Sequence, residues 1–456
     1  MRPRRTGDRI RFFFIAGPDS ELFSFDFGFR PRLGMDPRAK RKSFPNGDPE
    51  RAWGGGVRNP SKLFSPAKPS RRDMLDSVRF LHTSDWQIGE PFRFVDDETL
   101  AVLRAERLEA IGRIGRLAVN YHAPIVLVAG DIFDGAHPSL DTLLRPIERM
   151  RQFPQVEWHL IPGNHDAHAA NSPWERLLHL PTPTNVVMHV APQPRAALGG
   201  AAWILPAILT HRHMSIDPTE AMDAMITPPG ALRIGLAHGS VRSFGSSEHS
   251  TNNLLALDRV QRAKLDYLAL GDWHGAQQID DRTWYSGTPE PDGFNLGGSG
   301  GGQILLVELA SGSPPVVTPL ASGKFQWLNE SVTLSSAEDV AALEARIRGY
   351  HSDLSRVLLE LRVEGTLDLS ARELFERSIQ TGLGSALRYL RLEADRLFAK
   401  PSIADLEAMD HDGFVRVAAD RLAALAQDNS NPERELAAEA LQRLYVLHMR
   451  QGTGAQ

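Results

Sequence analysis

The stretch Leu127-Val128-Ala129-Gly130-Asp131-Ile132-Phe133-Asp134 decides the fold. An apolar run from Ile125 to Ala129 stops at a glycine, and a carboxylate follows at once. A continuous apolar run, rather than an alternating one, marks a strand buried on both faces of a parallel sheet. Such a strand delivers its next polar residue to the carboxyl edge of the sheet, where open α/β folds bind ligands. One Asp is weak evidence on its own; the same design recurs.

Four other apolar runs end in residues of ligand type. Val78 to Thr83 leads to Ser84-Asp85-Trp86-Gln87, and Val156 to Ile161 leads to Pro162-Gly163-Asn164-His165-Asp166. Leu232 to Ala237 leads to His238-Gly239, and Tyr267 to Leu270 leads to Gly271-Asp272-Trp273-His274-Gly275. Mixed carboxylate, amide and imidazole donors at five strand ends suit a cluster of divalent cations.

The order D-x-Q, GDxxD, GNHD, HG, GDxH resembles the calcineurin-like metallophosphoesterases, whose usual series is D-x-H, GDxxD, GNHD or GNHE, a lone His, and GHxH. The resemblance spans roughly residues 79–309. Within that group, Phe80-Leu81-His82-Thr83-Ser84-Asp85-Trp86, Gly130-Asp131-Ile132-Phe133-Asp134 and Tyr285-Ser286-Gly287-Thr288-Pro289-Glu290 are most similar to the SbcD-type DNA-repair exonucleases. The fold implied is α/β: a two-sheet sandwich flanked by helices, with a small α+β cap domain and a helical C-terminus.

The resemblance also implies roles. A first metal takes Asp85, Gln87, Asp131 and His274; a second takes Asp131, Asn164, His238 and Asp272. Asp131 bridges two ions roughly 3.5–4 Å apart. A hydroxide shared by the ions attacks phosphorus in line, and the ions stabilise the charge that develops. His165 protonates the leaving oxygen or stabilises the transition state, with Asp166 fixing its tautomer. Gln87 and Asp272 depart from the pattern, each standing where the family has His. One neutral amide and one carboxylate replace two imidazoles, so the site favours Mn²⁺ or Mg²⁺ over Zn²⁺.

Weaker candidates surround these. Asp134 orients a ligand or caps a turn. His137 and His168 lie just past motif ends, within reach of substrate phosphate, and Phe294 and Asn295 are candidates to line the cleft. Trp86 and Trp273 alternate with ligand positions and are expected to pack away from the metals.

Bulk properties set the bounds. At 456 residues the chain holds two or three domains. Its 42% hydrophobic and 23% charged residues belong to the globular class, and no apolar run is long enough to cross a bilayer. The absence of cysteine excludes disulfides, thiolate metal sites and a catalytic thiol, and fits a cytoplasmic location. Residues 1–77 hold 17 Lys+Arg against 9 Asp+Glu, a net +8, which leaves −13 of the total −5 on residues 78–456. An acidic body lacks the basic face expected of a DNA-binding protein. Metal ions holding substrate phosphate locally, or a partner supplying the positive surface, are two ways around this.

In chain order, residues 1–77 read as a disordered basic extension or a mis-called start at which Met74 is the natural beginning. Residues 78–322 form the catalytic domain. Leu100, Leu103, Ile111, Ile114 and Leu117 make a helical stripe over 98–119, the crossover between the Asp85 and Asp131 strands. A second helix is expected over 139–152 and a third over Asn252 to Val260. Residues 323–400 alternate strand and helix as an α+β cap. Residues 401–456 read as helices that pack on the chain itself or dock on a partner. DNA, an SMC-like coiled-coil ATPase and a second copy of the chain are the candidate partners; no membrane is implied.

The leading reading is a Mn²⁺-dependent, SbcD-like exonuclease. Two rivals stand beside it: a calcineurin-like hydrolase of small nucleotides or other phosphoesters, and a non-catalytic ATPase-binding subunit that lost turnover through Gln87 and Asp272.

Overall fold

The computed structural model describes residues 77–241, 253–294, 300–400, 414–428 and 430–453. The basic extension before Ser77, Asn295 and residues 401–413 lie outside them. The strands of the first part are β1 Ser77–Thr83, β2 Ile125–Val128, β3 Glu157–Leu160, β4 Val186–Met188, β5 Arg195–Ala197, β6 Ala202–Pro206, β7 Leu232–His238, β8 Ser240–Val241, β9 Leu254–Leu255, β10 Tyr267–Gly271, β11 Gln277–Gln278, β12 Thr283–Tyr285, β13 Gln303–Ala310 and β14 Val316–Ala321. Its helices are α1 Asp97–Asn120, α2 Leu140–Arg151, α3 Pro173–Leu178 and α4 Arg259–Arg262.

These strands build two six-stranded sheets, ordered β14-β13-β1-β2-β3-β4 and β11-β12-β10-β7-β6-β5. The strands β1 to β4 run parallel, as do β6, β7, β10 and β12. The strands preceding Asp85, Asp131 and Asn164 are therefore neighbours in one sheet. Those ending at His238 and Asp272 are neighbours in the other. The expected two-sheet sandwich is the observed fold.

The apolar runs explain the layers. Every residue of β2 is buried because its two faces meet different layers. Phe80, Ile125, Leu127 and Ala129 point to the second sheet and meet Ile204, Ile234, Leu236 and Tyr267. Leu81, Val126, Val128 and Trp158 point outward, onto Ile111 and Ile114 of α1 and Leu143, Ile147 and Met150 of α2. Each such side chain contributes roughly 1.5–3 kcal/mol by leaving water. Helix α1 starts where the Asp96 carboxylate accepts from the Thr99 N–H, and α2 where Ser139 accepts from Thr142.

One expectation fails here. The segment expected to be helical up to Val260 instead gives strand β9 at Leu254–Leu255 and only the single turn of α4. Leu255 and Val260 share a core cluster with Leu205, Leu268 and Tyr285. Pairing of β9 with β8 beside that core overrides a helical stripe too short to stand alone.

A second unit follows: β15 Gln326–Leu334, α5 Ala337–Arg348, β16 Val357–Leu367, α6 Leu369–Phe375 and β17 Tyr389–Ala399, with a π-helical stretch over Glu376–Leu383 between α6 and β17. Its three strands are parallel, in the order β15-β16-β17, with a core of Leu334, Leu343, Leu359, Leu361 and Phe375. Phe92, Phe94 and Phe294 of the first part pack against Trp327 and Tyr389 of the second. Helices α7 Phe414–Gln427 and α8 Arg434–Thr453 end the described chain, and α8 packs on β16 and β17.

Candidate metal centre

The residues of this site sit where strands have just ended, on backbone that is not relaxed. Asp85, Gln87, Asp131 and Asp272 all have positive φ, at 53°, 45°, 52° and 105°. Such conformations cost of order 1–3 kcal/mol each for non-glycine residues, persist only when the surrounding structure over-determines them, and cluster at active sites. Close approach is enforced by two glycines. A Cβ on Gly163 would lie 2.1 Å from Asp131 Oδ1, and one on Gly271 would lie 2.1 Å from the Ala129 carbonyl oxygen. The glycines of the two motifs let the strand ends meet.

Asp85, Asp131 and His238 are buried, and they offer ligand atoms within 4.8 Å of one another. His238 Nε2 lies 3.6 Å from Asp131 Oδ1 and 3.7 Å from Asp272 Oδ1. Its Nδ1 donates to the Ala129 carbonyl at 2.9 Å, which fixes the ring and turns Nε2 toward the carboxylates. Asp85 accepts from the backbone N–H of Asp272, at 3.2 Å, and from the Ser84 hydroxyl. Asn164 Nδ2 donates to Asp272 Oδ1 at 3.4 Å, while Ser240 donates to Asp272 Oδ2.

Gln87 and His274 join from the sides. Gln87 Nε2 donates to Asp131 Oδ2 at 3.0 Å, so the amide orients this carboxylate. His274 faces Asp292 through Nδ1, at 3.0 Å from Oδ1 and 2.9 Å from Oδ2. Asp292 is held in turn by buried Arg107, 2.9 Å away, whose other amino group donates to the Trp86 carbonyl.

The donor set fits divalent ions on a physical test. Gln87 Oε1, Asn164 Oδ1 and His238 Nε2 are buried atoms without a hydrogen-bond partner. Orphaned polar atoms of this kind are costly unless something fills the space between them. The field points the same way. Burial opposes charge on His238, yet Asp131, Asp85 and Asp272 outweigh it and raise the ring to about 9. Burial likewise opposes charge on His274, and Asp292 and Asp85 raise it to about 9. Burial lifts the Asp85 carboxyl to about 6 against the pull of both imidazoles. The cluster is built to hold positive charge.

Sequence reasoning misassigned one contact and missed another. Asp166 does not touch the His165 ring. Its Oδ2 accepts from the N–H groups of Ile132 and Phe133 and its Oδ1 from Gly163, so it braces the two loops. The carboxylate on His165 Nδ1 is that of Asp134, at 3.3 Å. That hydrogen bond outweighs burial and raises His165 to about 9. In a tight loop the side chain next in sequence points away, so adjacency in GNHD misled. Asp292 was missed because Pro291-Asp292-Gly293 reads as an ordinary turn.

Among the weaker candidates, Phe294 packs between Phe94 and Trp327 instead of lining the cluster. His168 is half-buried and its N–H donates to the Leu209 carbonyl. His137 is exposed at the mouth of a cavity that also includes Asp134. Trp86 is buried against Trp158, turned from the carboxylates as expected.

Residues 78–294 match the family model described as calcineurin-like phosphoesterase. The uncharacterized metallophosphoesterase YhaO of Bacillus subtilis is 23% identical over 313 residues, 64% of this chain and 73% of that protein. A subunit of the nuclease SbcCD from Escherichia coli K12 is 25% identical over 69% of this chain and 91% of its own length. The DNA double-strand break repair protein Mre11 of Haloferax volcanii is 25% identical over 63% of this chain and 62% of that protein. Among the described residues, no helix is long and apolar enough to cross a membrane. With the strand-end cluster and these matches together, the chain is a metal-dependent phosphoesterase built on a calcineurin-like phosphoesterase domain.

Proposed function

We propose that this phosphoesterase hydrolyses DNA phosphodiesters as an SbcD-like exonuclease in DNA repair, with Mn²⁺ as the preferred ion and Mg²⁺ as a substitute. The observation that carries the reading is the cluster itself. Asp85, Asp131 and His238 converge, flanked by orphaned amide oxygens on Gln87 and Asn164. The relatives named as part of a nuclease and as a double-strand break repair protein direct it toward DNA.

Asp85, Gln87, Asp131 and His274 would hold one ion; Asp131, Asn164, His238 and Asp272 the other. Divalent ions bound there supply an acidified water and neutralise phosphoryl charge. The chain's own groups do the rest. Arg107 and Asp292 hold His274 in one orientation, and Gln87 holds Asp131. His165, kept protonated by Asp134, carries a proton for the leaving oxygen. The three-stranded unit over 323–400 acts as the cap that orients DNA. The helices within 401–456 dock on an SMC-like ATPase, and a second copy of the chain completes the assembly in the cytoplasm.

A nuclease assay on labelled duplex and single-stranded DNA with Mn²⁺, Mg²⁺ and Zn²⁺ tests this. Release of nucleotides, fastest with Mn²⁺, is the expected result. Cleavage of bis(4-nitrophenyl) phosphate with DNA left intact would point to a small phosphoester substrate instead. No hydrolysis of either, with firm ATPase binding, would mark a scaffold.

A further inference from the structure

Asp134, whose carboxylate holds His165, also lines a cavity of about 420 Å³. That volume lies in the range of small-ligand sites, about 300–1,000 Å³. Arg104 of α1, Arg145 of α2 and His137 bring positive and hydrogen-donating groups to its wall. Ser139 and Thr142, at the start of α2, add hydroxyls, and Ile88, Leu108 and Pro138 make the apolar part.

The two guanidinium groups are only weakly engaged. Arg104 donates to the carbonyls of Glu90 and Gly89, at 2.9 and 3.3 Å, and pairs with no carboxylate among the described residues. Arg145 meets Asp141 at 3.4 Å with both groups well exposed, a pairing worth little in water. The Asp134 carboxylate is committed to His165. On a body whose net charge is −13, two arginines against one carboxylate, Asp134, give this cavity a net positive wall. A divalent cation would be repelled here, and a purely apolar ligand would leave guanidinium groups uncompensated. An anion with an apolar part satisfies both walls.

We propose that this cavity binds one nucleotide unit of the strand being cut, its phosphate on Arg104 and Arg145 and its sugar or base on Ile88 and Leu108. The inference rests on the nucleic-acid reading above and adds a place for the nucleotide beside the cleaved bond. The same chemistry is offered by a free nucleoside monophosphate, the product of exonuclease action.

Two variants of the full chain test it. Arg145→Ala removes an exposed cation. Gly135→Phe plugs the cavity, because Gly135 lines it and a Cβ there meets nothing within 4 Å. Binding is read in EDTA by fluorescence anisotropy with a labelled oligothymidylate and by calorimetry with deoxyadenosine monophosphate. Each variant is expected to weaken oligonucleotide binding at least fivefold. Arg145→Ala should also lower the slope of log affinity on log salt by about 0.7, one phosphate contact on a single strand. A fivefold loss on the oligonucleotide alone assigns the cavity to the strand; a matching loss on the mononucleotide assigns it to product. Parent and variants that bind alike, or a parent that binds neither probe, overturn the proposal. DNA cleavage by the parent is scored separately. A parent that cleaves DNA while the variants bind normally sinks the cavity alone. Variant-sensitive binding without any cleavage keeps the cavity and sinks the nuclease reading.

Discussion

Histidines at the carboxyl edge of the two sheets and histidines in the body of the sandwich are pushed in opposite directions. At the edge, carboxylates outweigh burial and raise His238 and His274 to about 9, and Asp134 does the same for His165. In the body, burial lowers His82 and His189 to about 3, with only a carbonyl pulling His82 back. The residue type is the same and so is the depth of burial for His82 and His238. The difference is the company. Three carboxylates surround His238, whereas His82 sits between the Tyr267 hydroxyl and the Leu270 carbonyl. The edge is a place where positive charge is wanted; the body is a place where it is refused.

Removing the central carboxylate should break that contrast most severely. Asp131 faces Gln87, His165 and His238 at once. Asp131→Ala should strip bound Mn²⁺ from both positions and slow hydrolysis roughly 10³-fold. Metal content after desalting, read by plasma mass spectrometry beside the rate, checks it. Full occupancy in the variant would refute the bridging role.

His165→Ala should separate chemistry from metal binding. The ring contacts Asp134, and it is the backbone N–H of residue 165 that reaches Asp131. Metal content should stay at the parent level while the rate falls roughly 10²-fold. A variant that cleaves as the parent does removes His165 from the mechanism.

Asp292→Ala sharpens the comparison from the outer shell. Asp292 links buried Arg107 to His274, and partners of metal-binding histidines typically contribute 10–100-fold in affinity. Mn²⁺ affinity should fall about 10-fold, measured by titration of the metal-free protein. Unchanged affinity would mean that His274 needs no such support.

Much of this edge was legible in the sequence, for a physical reason. A parallel strand buried on both faces must be apolar throughout, so its end is marked by the first polar residue. Asp131, His238 and Asp272 are announced that way, whereas Asp85 follows three buried polar residues, His82, Thr83 and Ser84. What a linear reading cannot supply is direction after the strand stops. Asp134 and Asp166 are the same residue type and each closes a motif, yet only Asp134 reaches the His165 ring, because Asp166 is taken up by the backbone N–H groups of Ile132, Phe133 and Gly163. Asp292 sits in a turn whose composition carries no sign of Arg107, which is 185 residues away in the chain. The segment before Val260 shows the limit for secondary structure: its apolar residues belong to a core that the local period does not encode.

The interior half of the contrast is tested through stability. An unfolded histidine takes its proton near pH 6.5, while folded His82 takes one only near pH 3. Between those values the unfolded chain binds the extra proton, so the stability owed to a neutral His82 is full above pH 6.5 and drains as pH falls. Raised carboxylates such as Glu290, at about 7, titrate with the opposite sign, so the parent's curve alone cannot isolate one ring. His82→Gln can. The amide keeps a donor for Leu270 and an acceptor for Tyr267 but does not titrate. Urea unfolding of parent and variant in EDTA at pH 4, 5 and 6 should show the parent's advantage shrinking by about 1.4 kcal/mol per pH unit toward acid. A gap that stays constant would mean that this ring is not held neutral, and the contrast between edge and body would lose its interior half.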